Sequence, residues 1–288
     1  MNIKKSIKKG IKFVLNEIQK KEILTANIVT LAPNELLAGR TALITGGTSG
    51  IGFSIAQSFL NAGATVIITG RNQKRLDDAI VRLNCNGKVF GYTMDNLNVG
   101  CFESVFSKML FDLDGRDIDI LVNNAGVLGA NISNATEEQY DKVLNTNLKA
   151  VFFLSQIVGK YMVKNKIKGN ILNVASSSSL RPAISAYTLS KWGIRGLTMG
   201  LARSLAPHGI TVNGIAPGIT ATPMLRHEDE TDLKCNVCPL GRWILPEEIA
   251  NGAVFLVSNM GRAIVGDIMY MTGGAALLSY EDMNYNIF

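Results

Sequence analysis

The chain has 288 residues and a mass of 31.1 kDa, enough for one large domain or two small ones around a substantial core. Its 47% hydrophobic and 18% charged content excludes disordered and fibrous classes. The net charge of +6 is local: residues 1–40 hold eight basic and three acidic residues, and the other 248 hold 21 and 20, so the body lacks the basic surplus of a nucleic-acid-binding protein.

The chain opens with Ile3, Ile7, Ile11, Leu15 and Ile18 recurring every three or four positions between lysines. That spacing predicts a short basic amphipathic helix. Residues 1–36 are therefore read as an N-terminal extension. Peripheral contact with an anionic membrane or a partner through residues 1–20 is one reading. The favoured one is an arm that packs its narrow, Trp-free stripe on its own or a neighbouring subunit. The lysines are not followed by an apolar core and cleavage site, so no export is expected. No apolar run approaches the roughly 20 residues that span a bilayer. Cys85, Cys101, Cys235 and Cys238 are too few for a disulfide scaffold, which points to a reduced, cytoplasmic setting.

From residue 37 to 288 a single domain is expected. Thr41–Thr45 reads as a buried strand, residues 51–62 as a helix and Ala64–Thr69 as a strand. A helix over 73–84, a strand over 88–94 and a helix over 99–112 follow. Next come the strand Ile118–Asn123, one long helix over about 136–166 and the strand Asn170–Ala175. A helix over about 186–205, the strand Ile210–Ala216, a helix over about 246–258 and the strand Ile268–Met271 complete the chain. Strands that read apolar throughout are buried on both faces. The expectation is an α/β fold: a Rossmann-like, doubly wound parallel sheet of about seven strands with helices on both faces.

Between the first strand and helix lies Thr45-Gly46-Gly47-Thr48-Ser49-Gly50-Ile51-Gly52. Glycines there allow positive φ and close backbone approach, so amide groups and a helix N-terminus can meet a pyrophosphate. The spacing is Gly-x-x-x-Gly-x-Gly, and the strand–helix context is the one such a turn requires. The second strand ends Gly70-Arg71-Asn72. It offers no carboxylate for ribose hydroxyls and one guanidinium suited to a 2′-phosphate, which predicts NADP(H) over NAD(H). Farther on, Tyr187 and Lys191 stand four apart on a predicted helix and share a face. A lysine cation beside a phenol would lower the phenol pKa from about 10 and allow proton transfer near neutral pH.

With Thr45–Gly52, Asn123-Asn124-Ala125-Gly126 and Tyr187-Thr188-Leu189-Ser190-Lys191 in order, the chain resembles the short-chain dehydrogenase/reductase family from about Leu37 to Gly274. Asn213–Gly218, Gly241-Arg242, Pro246–Ala250 and Gly273-Gly274 agree. The resemblance implies a nicotinamide cofactor and a homo-oligomer, a tetramer or a dimer. It also implies that Tyr187 is the catalytic tyrosine and Lys191 its lysine. Ser176 matches the serine that orients the substrate carbonyl. Ser177 and Ser178 are alternatives, because residues 176–179 are all serine and the loop to Tyr187 is shorter than usual. Asn147 matches the asparagine of the proton relay, with Asn145 as a competitor. Cofactor contacts are implied for Gly46, Thr48, Ser49, Gly50, Ile51, Gly52, Arg71, Asp95 and Asn96. They are likewise implied for Asn123, Ala125, Gly126, Tyr187, Lys191, Pro217, Gly218, Ile219 and Thr222.

Met224–Pro239 falls where the family carries its substrate lid. It holds Arg226, His227, the acidic run Glu228–Asp232 and the pair Cys235/Cys238. The cysteines lack a second Cys/His pair and are not read as functional, and no metal site is expected. The resemblance is nearest to 3-oxoacyl-carrier-protein reductases. A hydride would pass between nicotinamide and a carbonyl or secondary alcohol, with a β-keto acyl group as leading substrate. A sugar or polyol dehydrogenase is the alternative within the class. A non-catalytic NADP(H)-binding sensor or scaffold is the alternative outside it.

Overall fold

The computed structural model describes residues 35–83, 88–225, 233–281 and 284–285. The basic helix expected in residues 1–20 and the acidic run Glu228–Asp232 lie outside the described residues. Each apolar run becomes a strand: β1 (Thr41–Thr45), β2 (Thr65–Gly70), β3 (Val89–Thr93), β4 (Ile120–Asn123), β5 (Asn170–Val174), β6 (Thr211–Pro217) and β7 (Ile268–Met271). They form one sheet in the order β3-β2-β1-β4-β5-β6-β7, and every pairing is parallel. The helices are α1 (Gly50–Asn61), α2 (Gln73–Leu83), α3 (Phe102–Asp112), α4 (Glu137–Leu144), α5 (Ala150–Lys164), α6 (Ala186–Leu205) and α7 (Pro246–Val257).

Alternation along the strands sorts the core into two layers. Leu43, Ile67, Leu121, Ile171 and Val212 face one side and pack with Phe102 and Phe106 of α3 and Leu154, Val158 and Met162 of α5. Ile44, Ile68, Val122, Leu172 and Ile215 face the other and pack with Ile55 and Phe59 of α1 and Ile249 and Leu256 of α7. With helices on both faces, no strand keeps a polar side, which is why the strands read as unbroken apolar runs. The doubly wound architecture expected from the sequence is the one observed.

One element departs from the expectation. The helix over 136–166 is not uniform: α4 passes into α5 through a π-helical turn at Asn145–Lys149, where the amide of Ala150 donates to the carbonyl of Asn145, five residues back. Such a turn widens a helix and commonly marks a functional position.

The amino edge of the sheet is tied by a polar chain. Arg40 pairs with Asp119 and donates to Asn170 Oδ1 at 2.7 Å. Asp119 accepts the amide of Thr41 at 2.9 Å, and Asn170 Nδ2 donates to Thr211 Oγ1 at 2.6 Å. This chain links the starts of β1, β4, β5 and β6. Burial pushes the Asp119 carboxyl above its ordinary pKa, opposed by Arg40 and the Thr41 amide. Removing Arg40 would leave that partly buried carboxylate without its counter-charge, held by the Thr41 amide. Arg40→Ala is expected to cost about 2 kcal/mol, discounted for partial exposure, and to lower Tm by roughly 4–8 °C. Thermal unfolding checks this, and a shift below about 1 °C would show that the chain of bonds is not stabilising.

Candidate functional site

The chain runs outward through β1, β2 and β3, then returns to place β4 on the other side of β1. A doubly wound sheet binds ligands in the crevice at that reversal, beyond the carboxyl ends of its strands. A cavity of about 320 Å³ lies there. Its walls come from the turn after β1, the ends of β2 and β3, the segments after β4 and β5, the start of α6 and the segment after β6.

The turn after β1 is shaped by missing side chains. Gly46 and Gly50 have φ of +65° and +55°, conformations that L-residues rarely adopt. A Cβ on Gly52 would lie 2.3 Å from Asn124 Nδ2 and 2.4 Å from the Gly46 carbonyl oxygen. The turn is clamped to the segment after β4: Asn124 Nδ2 donates to the carbonyls of Thr45 at 2.9 Å and Gly46 at 3.1 Å. In return, Thr45 Oγ1 accepts the amides of Asn124 and Ala125 at 3.0 and 3.1 Å. No side chain caps α1 at Ser49, and Ser49, Gly50, Ile51 and Gly52 all line the cavity. The amino end of α1 is thus offered to an anion, favoured there by unpaired amides and the helix dipole.

At one end of the cavity Gly70 packs against Thr48, where a Cβ would lie 2.7 Å from Thr48 Cγ2. Arg71, Asn72 and Arg75 line this end with Asp95 and Asn96. Asn72 Oδ1 accepts the amide of Arg75 at 3.0 Å, which starts α2 and holds Arg75 in its first turn. Asp95 Oδ1 accepts the amide of Leu97 at 3.0 Å and is held in its turn.

At the other end Ser176, Tyr187 and Lys191 line the same wall. Ser185 caps α6 by accepting the amide of Thr188 at 3.2 Å, so Tyr187 falls in the first turn and Lys191 one turn on. Ser176 Oγ accepts the amide of Ser178 at 3.1 Å and hydrogen-bonds the Tyr187 phenol. Of the four consecutive serines, Ser176 lines the cavity. The other three are buried behind it, with Ser179 Oγ near Tyr270 at 3.2 Å. Lys191 Nζ donates to the Val174 carbonyl at 2.8 Å and lies 5.5 Å from the centre of the Tyr187 ring.

The electrostatics differ from the sequence expectation. Burial raises the Tyr187 phenol above its ordinary pKa, with the Ser176 hydrogen bond opposing. Burial also lowers Lys191 to about 8. The ammonium sits over the ring face and spends a proton on Val174, so desolvation outweighs its pull on the phenol.

Three of the expected residues do not line the cavity. Asn123 lies under it and donates to Ser155 Oγ at 3.0 Å and Asn173 Oδ1 at 2.8 Å, bridging strands to helices. Ile219 accepts the amide of Ile244 at 2.9 Å through its carbonyl, and the neighbouring Thr220 lines the cavity instead. Asn147 stands behind the wall: it accepts the amide of Val127 at 2.8 Å, donates to the carbonyl of Val127 at 2.9 Å and approaches Ser190 Oγ at 3.3 Å. The π-helical turn carries this residue, and Asn147 thereby holds the segment after β4 in place. The remaining expected residues line the cavity: Gly46, Thr48, Ser49, Gly50, Ile51, Gly52, Arg71, Asp95, Asn96, Ala125, Gly126, Ser176, Tyr187, Lys191, Pro217, Gly218 and Thr222. Not foreseen were Asn124, Thr146, Arg75, Val127 and Pro223, whereas Met224 and Leu225 open the stretch expected as the substrate lid. An Asn at position 72 just before a helical run was a legible cap signal that would have placed Arg75.

Cys235 and Cys238 are buried free thiols. Among the described residues no group of three or more His, Cys, Asp or Glu is placed to hold a metal, and no helix is long and apolar enough to cross a membrane.

The cavity fits an elongated dinucleotide. The glycine cradle excludes side chains where a pyrophosphate must approach, and at Gly218 a Cβ would lie 2.7 Å from the backbone of Thr272. The sequence profile described as short chain dehydrogenase matches residues 40–233. Gluconate 5-dehydrogenase of Gluconobacter oxydans is 34% identical over 83% of this chain and 95% of that protein. A 3-oxoacyl-acyl-carrier-protein reductase of Thermotoga maritima is 36% identical over 84% of this chain and 99% of that protein. Among solved structures, an actinorhodin polyketide ketoreductase variant with NADPH superposes with a TM-score of 0.75 at 29% identity, covering 82% of this chain and 97% of that one. A 3-ketoacyl-(acyl-carrier-protein) reductase from Brucella melitensis complexed with NADH gives 0.75 at 28% identity, covering 83% and 99%.

Gly52→Ala should drive the new methyl into Asn124 and the Gly46 carbonyl and pull the turn away from the segment after β4. Dinucleotide affinity is expected to fall at least tenfold, about 1.4 kcal/mol, in a fluorescence titration. Unchanged affinity would remove this turn as the anion cradle.

Proposed function

The chain belongs to the short-chain dehydrogenase family, and from that premise we propose that it is an NADPH-dependent carbonyl reductase, with 3-oxoacyl-type substrates leading. The observation that carries this reading is the convergence of Ser176, Tyr187 and Lys191 on the cavity that holds the glycine turn. A sugar or polyol dehydrogenase is the second reading, favoured by the similarity to gluconate 5-dehydrogenase.

When bound, the nicotinamide supplies the hydride. The chain's own residues supply orientation and the proton. The Ser176 hydroxyl accepts the Ser178 amide and is bonded to the Tyr187 phenol; on substrate binding its hydrogen would turn from the phenol to the carbonyl oxygen, so that serine and tyrosine hold that oxygen together. The raised pKa keeps Tyr187 protonated at neutral pH, the form needed to donate to a developing alkoxide. Lys191 places a positive charge beside that proton, and Asn147 keeps the adjoining wall rigid through Val127. This protonation pattern supports the reductive direction.

Preference for NADPH rests on the Gly70 end of the cavity. Two guanidiniums, Arg71 and Arg75, line that end and would suit a 2′-phosphate, and Gly70 has no carboxylate to repel one. A homo-oligomer is supported by exposed Phe152 and Phe153 on α5 and Leu189 and Met199 on α6, apolar surface of the kind that subunits cover. A cytoplasmic location is proposed from the free thiols of Cys101, Cys235 and Cys238, the cysteines among the described residues.

Replacing both arginines (Arg71→Ala with Arg75→Ala) should reduce the ratio of kcat/KM for NADPH over NADH by at least tenfold, since charge-assisted bonds to phosphate are worth about 1.5–3 kcal/mol each. An unchanged ratio would return both side chains to the role of solvated surface charges. The pH profile tests the proton inventory. Lys191 is charged below about pH 8 and neutral above it. With Tyr187 still protonated there, reductive kcat/KM should be flat below that pH and fall about tenfold per unit above it. Tyr187→Phe should lose roughly 10²–10⁴ in kcat while still binding NADPH. A rate that rises through pH 9, or a Phe variant with ordinary turnover, would refute the assignment.

A further inference from the structure

Between Ser176 and Tyr187 in the chain stands Arg181, among the largest fully buried side chains and 1% exposed. It does not line the cavity. Taking a guanidinium out of water is costly, and a well-packed apolar residue of similar volume is often no less stable in its place. Stability alone therefore gives little reason for an arginine here.

Its contacts join three segments. The Arg181 amide donates to the Ser178 carbonyl at 3.2 Å and closes the turn that begins at Ser176. The Arg181 carbonyl accepts Trp192 Nε1 at 2.7 Å, and Trp192 follows Lys191 on α6. The guanidinium lies 6.0 Å from the centre of the Tyr280 ring, within cation–π range. Tyr280 belongs to the segment after β7, which folds back on itself: the Gly274 carbonyl accepts the amide of Leu278 at 2.7 Å, and the Ser279 carbonyl that of Ala276 at 2.8 Å. β7 meets the serine turn as well. The Tyr270 hydroxyl lies 3.2 Å from Ser179 Oγ, which donates to the Ser176 carbonyl at 2.8 Å. The turn that starts at Ser176 is thus held by α6 on one side and by β7 and its extension on the other.

We propose that Arg181, with Tyr280 against its guanidinium, is a positioning residue that fixes Ser176 at bonding distance from the Tyr187 phenol. This rests on the carbonyl-reductase reading above and deepens it. The two hydroxyls must meet on one carbonyl oxygen, and their separation depends on where the serine turn sits relative to α6. Arg181 sets that relation. Its backbone ties the turn to the helix, and its planar guanidinium, packed on an aromatic face, keeps that backbone from shifting. It acts through Ser176 and not on the substrate. A misplacement of about 1 Å at reacting groups can cost on the order of 100-fold in rate.

The test uses the full-length protein with NADPH and three carbonyls: a 3-oxobutanoyl thioester, a keto sugar acid and a small diketone. Arg181→Met should lower kcat about tenfold or more while KM and NADPH affinity stay within about twofold. Tyr280→Leu, at a half-exposed position, should give the same split to a smaller extent. A second readout needs no turnover. With 3-fluorotyrosine incorporated, the fluorine resonance of Tyr187 is assigned by its loss in Tyr187→Phe. The Ser176 hydrogen bond lowers the phenol pKa, so loosening that bond should move the Tyr187 titration to higher pH in both variants. Thermal unfolding is recorded alongside. A lowered Tm with wild-type kcat and an unmoved titration, or a loss confined to KM, would give Arg181 a purely structural role and overturn the proposal while leaving the reductase reading intact. If Arg181→Met does not fold, Tyr280→Leu decides by the same two measurements. A moved titration in a protein that reduces none of the three carbonyls would support the positioning role and defeat the catalytic reading. Neither turnover nor a moved titration would overturn both.

Discussion

At the carboxyl edge of the sheet, the turn after β1 and the segment after β4 come closer than ordinary side chains would allow. Asn124 reaches across to two carbonyls of the turn, Thr45 Oγ1 answers with two amides, and the space left between them is too small for a Cβ on Gly52. That contact decides how far the amino end of α1 is offered to the cavity. It also sets the start of the segment that runs past Gly126 to Val127, where Asn147 takes over as anchor. The two ends of the cavity are therefore joined through one rigid strip of backbone.

Desolvation is the second constraint. Tyr187 and Lys191 share a poorly solvated wall, and burial acts on them in opposite directions, up for the phenol and down for the ammonium. The result is a protonated acid beside a weakened cation. Both are poised by their surroundings more than by each other, because the lysine is directed at the Val174 carbonyl. The nearby π-helical turn has the same logic: it gives up regular helical bonding at Asn145–Lys149, and Asn147 satisfies both polar groups of Val127.

Stability and chemistry are placed at opposite edges. The amino edge is held by Arg40, Asp119, Asn170 and Thr211, which touch nothing in the cavity. Between them lies a buried polar bridge, Asn123 to Ser155 and Asn173, and Asn173 to Thr198. It fixes the central strands to α5 and α6. Because such groups are costly if unpaired, the bridge specifies one alignment of strands and helices, and so the relative height of Ser176 on the β5 side and Tyr187 on α6.

Much of this was legible in the chain itself. Apolar runs alternating with helical periods determined the order of strands and helices, since a parallel sheet covered on both faces leaves no polar side to vary. The glycine turn, Arg71, Tyr187 and Lys191 could be singled out as candidates because their chemistry is local: a glycine conformation, a charge at a strand end, two residues one helical turn apart; Ser176 came only from the family resemblance, and the fold is what sets it apart from its three serine neighbours at the cavity. What spacing could not decide was which of two adjacent residues turns inward. Asn123 and Ile219 were expected at the cavity, yet Asn124 and Thr220 are there, because neighbouring residues on a strand or its extension face opposite ways. The phenol's raised pKa, the π-helical turn and the enclosure of Arg181 likewise arise from burial and from contacts between distant segments, which exist only once the chain has folded.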